Sequence, residues 1–174
     1  QLPVENADAD GIHHFWTFQD ARAIKSHIEK AEQSVIVGAG LLGIDLAATT
    51  AAQDVEGKYL MRGDCWWRYA LSESGAEIIH DALRERDVTP VFQSGVDRFE
   101  TDDTGAVEAA VDPNGDHYPA DFVGIAIGLD FNTEILRDTP VKIEDGIVVD
   151  EYMRTDHQDI FAAGDITQFY DRLL

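Results

Sequence analysis

An α/β fold is predicted, on three observations. An apolar run at residues 34–37 leads directly into the glycine turn of "VGAGLLG" and then into a helical pattern that begins at Leu41. Strand-like and helix-like patterns alternate from there to about residue 92, the order that builds a parallel sheet. Between residues 96 and 121 short β-runs are separated instead by turn clusters, Asp103-Thr104-Gly105 and Pro113-Asn114-Gly115, which reads as a small antiparallel meander.

The elements follow in order. Residues 1–10 are polar and contain Pro3, as suits a leading linker. "TFQDARAIKSHIEKAEQ" places Ala21, Ile24, Ile28 and Ala31 on one helical face, with Thr17 and Asp20 as N-cap candidates. After the strand at 34–37 and the glycine turn, a second helix extends from Leu41 to about Gln53, and "KYLMR" is the next strand. A linker, "GDCWWRYALS", precedes "ESGAEIIHDALRERD", an amphipathic helix that ends near Asp87. "VTPVFQ" is a strand, assigned to an edge or a strand start because Pro90 cannot donate to a ladder. "FVGIAIG" is continuously apolar and so a buried strand. The tail "GIVVDEYMRTDHQDIFAAGDIT" holds two more short strands.

A chain of 174 residues can form one well-cored domain, or one domain and part of another. With 44% hydrophobic and 27% charged residues a genuine core is affordable, and wholesale disorder is excluded. The charge is unusual: 34 acidic against 13 basic residues give −21, and only Lys25, Lys30, Lys58 and Lys142 are lysines. Repulsion on that scale destabilises a compact chain in dilute salt and is screened within about 3 Å at 1 M salt. Lysine depletion beside abundant aspartate predicts a halophilic, cytoplasmic setting; the alternative is a merely acidic domain. It also disfavours nucleic acid and anionic membrane as partners, since both are polyanions. No apolar run reaches the length of a membrane span, and "QLPVENADAD" has no basic region followed by an apolar one. Cys65 is the single cysteine, so no internal disulfide forms; Arg62 and Arg68 beside it would lower its pKa, but without a resolving cysteine it reads as structural. The six histidines lack metal-ligand spacing, and no metal site is expected.

Gly38, Gly40 and Gly43 form G-x-G-x-x-G between an apolar strand and a helix. The first glycine permits the tight turn, the second lets backbone approach a pyrophosphate, and the third allows close helix–strand packing. The anion then rests on the helix N-terminus, where unpaired amides and the positive dipole end favour it. In this setting the fold is a Rossmann-like, three-layer dinucleotide-binding domain with the meander attached; the alternative is a glycine turn that serves packing alone.

Three stretches, "VIVGAGLLGIDLA", "ADFVGIAIGLDFNTEIL" and "GIVVDEYMRTDHQDIFAAGDIT", resemble successive landmarks of the FAD-dependent pyridine nucleotide-disulphide oxidoreductases, in particular the NADH oxidases, nitrite reductase subunits and rubredoxin or ferredoxin reductases. The resemblance covers nearly the whole chain. It implies that residues 11–128 are the central NAD(P)H-binding domain, with Gly38, Ala39, Gly40, Leu41, Leu42 and Gly43 at the cofactor and Ala126-Ile127-Gly128 as a strand at its far edge. Residues 129–174 would be a C-terminal remnant of the FAD-binding domain, whose Gly164-Asp165 pair contacts the ribityl and phosphate region of the flavin. The FAD-binding first half, with any redox-active cysteine, would precede Gln1; the chain is then an excised piece, expected to carry no FAD and to be inactive alone. Asp45 stands where the family usually has a glutamate near the nicotinamide. It either keeps that contact or is a first-turn residue favoured by the helix dipole.

The end of the second fingerprint strand distinguishes NADH from NADPH, because a carboxylate there binds a 2′-hydroxyl and an arginine accommodates a 2′-phosphate. Met61 occupies the place where NADH-using relatives tend to carry glutamate, and Arg62 follows it. Arg68 lies six residues further on, a spacing similar to the arginine pair of NADPH-using glutathione reductases. The lean is therefore to NADPH, the alternative being that Arg62 and Arg68 are ordinary surface cations of an acidic protein. Asp64 is the rival, able to restore NADH use if the loop turns. Trp66 and Trp67 would stack on adenine or be buried against a neighbouring domain.

The leading functional expectation is an NAD(P)H-binding piece of an FAD-dependent oxidoreductase that passes hydride from NAD(P)H to flavin and on to a redox protein or small-molecule acceptor. The missing FAD-domain half would be its partner, and a homodimer is compatible with the resemblance. The alternatives are a stand-alone dinucleotide sensor without flavin and a protein-interaction domain with a vestigial fold. The charge alone generates one test: the melting temperature should climb steadily from low to molar potassium chloride, and a flat or falling curve would remove the halophilic reading.

Overall fold

The computed structural model describes residues 2–68 and 70–169. In chain order the elements are β1 (Ile12–His14), α1 (Phe18–Ile28), β2 (Gln33–Val37), α2 (Leu41–Ala51), β3 (Glu56–Met61), α3 (Glu73–Arg84), β4 (Val88–Phe92), β5 (Arg98–Thr101), β6 (Val107–Val111), β7 (His117–Pro119), β8 (Phe122–Ile125), a 3-10 turn (Glu134–Leu136), β9 (Ile147–Val148) and β10 (Thr167–Gln168). They fall into two compact units, one up to Gly128 and one from Leu129 onward.

The first unit has three layers. Its centre is a parallel sheet in the order β1-β8-β2-β3-β4. Strand side chains alternate between faces, and the alternation sorts the core in two. Ile36, Tyr59, Met61 and Phe122 face the helices and pack with Ile24 and Ile28 of α1, Leu46, Ala47 and Ala51 of α2, and Leu83 of α3. Val35, Val37, Leu60, Val123 and Ile125 face the other way and pack on Phe99, Val107 and Ala110 of the antiparallel sheet β5-β6-β7.

Local chemistry sets the helix ends. Thr17 and Asp20 form a reciprocal capping box at α1, the hydroxyl accepting the Asp20 amide at 3.1 Å and the carboxylate accepting the Thr17 amide at 2.6 Å. Ser72 caps α3 by accepting the Gly75 amide. Pro90 lies on β4, the outer strand, as its missing donor requires.

Three features differ from the sequence expectation. β1 was not anticipated; at three residues it is too short to show a period, and it adds in parallel to β8 with Ile12 opposite Val123. β8 ends at Ile125 and lies between β1 and β2, so Ala126, Ile127 and Gly128 follow a strand from inside the sheet and form no strand at a far edge. The segment read as a leading linker is laid along the meander: the Phe99 amide donates to the Glu5 carbonyl, the Asn6 side-chain amide to the Phe99 carbonyl, the Val107 amide to the Asp10 carbonyl, and Ala7 is buried.

In the second unit β9 and β10 pair in parallel beside a small cluster of Val141, Ile147 and Val149. No helix among the described residues is long and apolar enough to cross a membrane.

Phe99 is fully buried where the N-terminal segment, the meander and the parallel sheet meet. Phe99→Ala should destabilise the first unit by about 3–5 kcal/mol. Denaturant unfolding followed by tryptophan fluorescence measures it, since Trp16, Trp66 and Trp67 all belong to that unit.

Candidate functional site

The turn from β2 into α2 is shaped by what lies against it. Gly38 has φ of +116°, in the left-handed region, and a Cβ there would sit 2.1 Å from the Ala126 carbonyl oxygen. Its amide donates to the Leu60 carbonyl, while the Ala126 amide donates to the Val37 carbonyl. A Cβ on Gly43 would lie 2.0 Å from the Gly38 oxygen and 2.7 Å from Tyr59 Oη. Both glycines are therefore packing requirements. Gly40 is different: a Cβ there would meet nothing within 4 Å.

Gly40 is also the N-cap of α2, in extended conformation and without a side-chain cap hydrogen bond. The first intrahelical bond runs from the Ile44 amide to the Gly40 carbonyl, so the amides of Leu41, Leu42 and Gly43 have no intrahelical acceptor. With the positive end of the helix dipole behind them, they form an anion-binding edge beside unfilled space. Ala39 and Leu42 are half-buried and Leu41 is 55% exposed. Asp45 is exposed and lies past the first turn of α2, which removes the first-turn dipole account of it.

Tyr59 ties this turn to β3, its hydroxyl donating to the Gly38 carbonyl at 2.9 Å. Burial pushes the phenol far above its usual range and the Asp45 carboxylate adds to this, so the hydroxyl stays a donor. The indole Nε1 of Trp66 faces the same oxygen and opposes the shift, yet it reaches no partner within hydrogen-bonding geometry among the described residues.

The loop after β3 carries the discriminating residues. Met61 is fully buried against the helices, where a thioether cannot serve a ribose. Arg62 is exposed with its stem beside Gly95, and Arg68 is exposed with its Cδ beside Gly63. Asp64 is exposed between them. Trp66 is buried in the unit's own helix-side core, with Trp67 packed on it at 5.6 Å between ring centroids. Trp66 is thus available neither to an adenine nor to a neighbouring domain. The Cys65 thiol is pushed up, by desolvation and by Asp64 and Glu73, with Arg68 opposing, so the expected lowering is reversed.

Backbone groups of this loop, and of Met61 from which it leaves, are held from outside it. The Ser94 amide donates to the Met61 carbonyl at 3.0 Å and the Gln93 amide to the Gly63 carbonyl at 2.9 Å. The Trp66 amide donates to Nε2 of His80, on α3, at 3.1 Å.

The remaining predicted residues divide between the units. Ala126 abuts Gly38; Ile127 is 38% exposed; Gly128 has φ of +117°. Gly164 and Asp165 are exposed in the second unit, in a turn where the Gly164 carbonyl accepts both the amide and the hydroxyl of Thr167. No group of three or more metal-ligating side chains exists among the described residues. Sequence reasoning missed Tyr59 and His80. Tyr59 alternates in phase with Met61 on β3, a signal of the helix-facing side, whereas nothing in the sequence points to the Trp66–His80 contact.

Residues 1–173 match the family described as pyridine nucleotide-disulphide oxidoreductase. Rhodocoxin reductase of Rhodococcus erythropolis is 30% identical over 168 residues, 97% of this chain and 39% of that protein. The CoA-dependent NAD(P)H sulfur oxidoreductase of Pyrococcus abyssi is 33% identical over 173 residues, 97% of this chain and 38% of the relative. Among solved structures, an NAD-dependent persulfide reductase from A. fulgidus superposes with a TM-score of 0.86 at 33% identity, covering 95% of this chain and 31% of its own. The chain thus spans about two fifths of the length of these curated relatives.

The packing at the glycine turn has a measurable cost. Tyr59→Phe leaves the Gly38 carbonyl without its hydroxyl donor and should lower stability by about 1–3 kcal/mol. Gly43→Ala forces a methyl group onto backbone and should cost at least as much, commonly about 1–3 kcal/mol or more. Denaturation midpoints of the two variants check both values.

Proposed function

Because the chain belongs to the pyridine nucleotide-disulphide oxidoreductase family, we propose that its first unit binds NAD(P)H through Gly38, Ala39, Gly40, Leu41, Leu42 and Gly43. The observation that carries this is Gly40: an N-cap without a side-chain cap, beside open space, between two glycines that packing makes obligatory. The amides of α2 hold the pyrophosphate and exclude any residue with a side chain from position 40. Ala126 and Ile127 border the same turn and Gly128 follows them, and Asp45, one helical turn further on, would face the nicotinamide.

The second unit is read as part of an FAD-binding domain, in which Gly164 and Asp165 would contact the flavin. The residues of this chain would bind and orient the dinucleotide, whose chemistry when bound would be hydride donation to a flavin. The parent activity is then an FAD-dependent NAD(P)H oxidoreductase. The relatives, a rhodocoxin reductase and a CoA-dependent sulfur oxidoreductase, support either a redox protein or a small sulfur compound as acceptor. The charge of −21 and the four lysines support a salt-rich cytoplasm as the setting.

NADPH is favoured over NADH, since Met61 is withdrawn into the core while Arg62 and Arg68 reach solvent at the two ends of the loop. A charge-assisted contact contributes about 1.5–3 kcal/mol, so Arg62→Ala should weaken NADPH binding by roughly ten- to a hundredfold and leave NADH nearly unchanged. Calorimetric titration at one fixed, low salt concentration makes the comparison. Tighter binding of NADH by the wild type, abolished by Asp64→Ala, would instead assign the ribose to the carboxylate.

A further inference from the structure

We propose that His80 is a positioning residue for dinucleotide choice, holding the 62–68 loop in the one conformation that presents its arginines to the adenosine ribose. The inference rests on the NAD(P)H reading above and adds to it a residue from a different element, α3.

The protonation of the ring follows from its two partners. The Trp66 amide can only donate, so Nε2 of His80 is the acceptor and carries no proton. The proton is then on Nδ1, which donates to Glu77 Oε2 at 3.0 Å. Glu77 is in turn held by Arg84, whose Nη1 lies 2.6 Å from Oε1 and 2.9 Å from an Asp81 oxygen. The Arg84 and His80 hydrogen bonds hold the Glu77 carboxyl below the usual carboxylate range, so it remains an acceptor. The imidazole is 2% exposed and lies 4.8 Å, centroid to centroid, from the Phe92 ring at the end of β4. Its tautomer and its orientation are both fixed.

Backbone amides that follow β4 tie the start of the loop, Ser94 donating to Met61 at the end of β3 and Gln93 to Gly63. The His80 tie is made by a side chain and holds the second half of the loop, just ahead of Trp67, whose φ of +48° is unusual for a bulky residue. Arg62, Asp64 and Arg68 share this loop, so a change in its course exchanges a phosphate-binding cation for a ribose-binding carboxylate. His80 sets that course without touching the dinucleotide.

Two variants separate the tie from simple packing. His80→Asn keeps an amide within reach of Glu77 but has no atom at the Nε2 position, whereas the longer His80→Gln places an amide oxygen there to accept the Trp66 amide. In the full chain the ratio of NADPH to NADH affinity, from calorimetric titration of each, should fall about fivefold or more in His80→Asn and return toward wild type in His80→Gln. Hydrogen exchange at the Trp66 amide should accelerate in the first and be restored in the second. An unchanged ratio in His80→Asn, or an equal fall in both variants, would overturn the proposal while leaving NAD(P)H binding intact. A wild-type chain that binds neither dinucleotide would instead remove the reading on which it rests.

Discussion

Steric exclusion at Gly38 is the constraint on which the first unit depends. A Cβ on Gly38 would strike the Ala126 carbonyl, while the Leu60 carbonyl takes the Gly38 amide and the Gly43 backbone and the Tyr59 hydroxyl close on its own carbonyl oxygen. β2, β3, β8 and α2 meet at that point, so the start of the helix and the exit of the chain from β8 are settled together. Close packing of this kind transmits strain instead of absorbing it. The open side at Gly40 is what remains when the other two glycines have been used.

Elsewhere the abundant acid is put to structural use. Asp102 accepts the amides of Thr104 and Ala106, Asp112 those of Asn114 and Asp116, Asp121 those of Glu32 and Gln33, and Asp150 those of Tyr152 and Arg154. Backbone donors thus replace many of the counter-cations that a chain with 13 basic residues lacks. Asp112 shows the balance. Burial raises its pKa, but the Asp116 and Asn114 amides and the Ser94 hydroxyl outweigh that and hold it below the ordinary aspartate range. A depressed carboxylate of this kind contributes stability that is present above its unfolded pKa and is lost as pH falls through the folded one.

Much of the fold was legible because its signals are local. The capping pair Thr17–Asp20, the glycine turn, the turn clusters of the meander and the proline of an edge strand each act within a few residues, and each appears where expected. β1 was illegible because three residues cannot display a period, and its partner, β8, lies more than a hundred residues away in sequence. The seating of the N-terminal segment on the meander was hidden for the same reason, since backbone bonds carry it and the side chains of residues 5–10 do not advertise it. At the site, glycine spacing foretold the shape of the turn. The fate of Trp66 depended on a histidine fourteen residues onward, a contact that only the folded chain reveals.

The position of Pro90 on β4 bears on association. The Gly57 amide donates to the Asp87 carbonyl, so alternation along β4 turns the amides of Thr89 and Val91 toward β3 and the Pro90 nitrogen outward. A strand arriving from a second molecule would find a gap in the donor row at its centre. Sheet-to-sheet growth into ribbons or fibres is thereby blunted at the longer of the two open margins, the other being the three residues of β1. Wherever salt screens the charge that keeps such polyanionic molecules apart, one missing hydrogen on β4 still works against strand pairing at this margin.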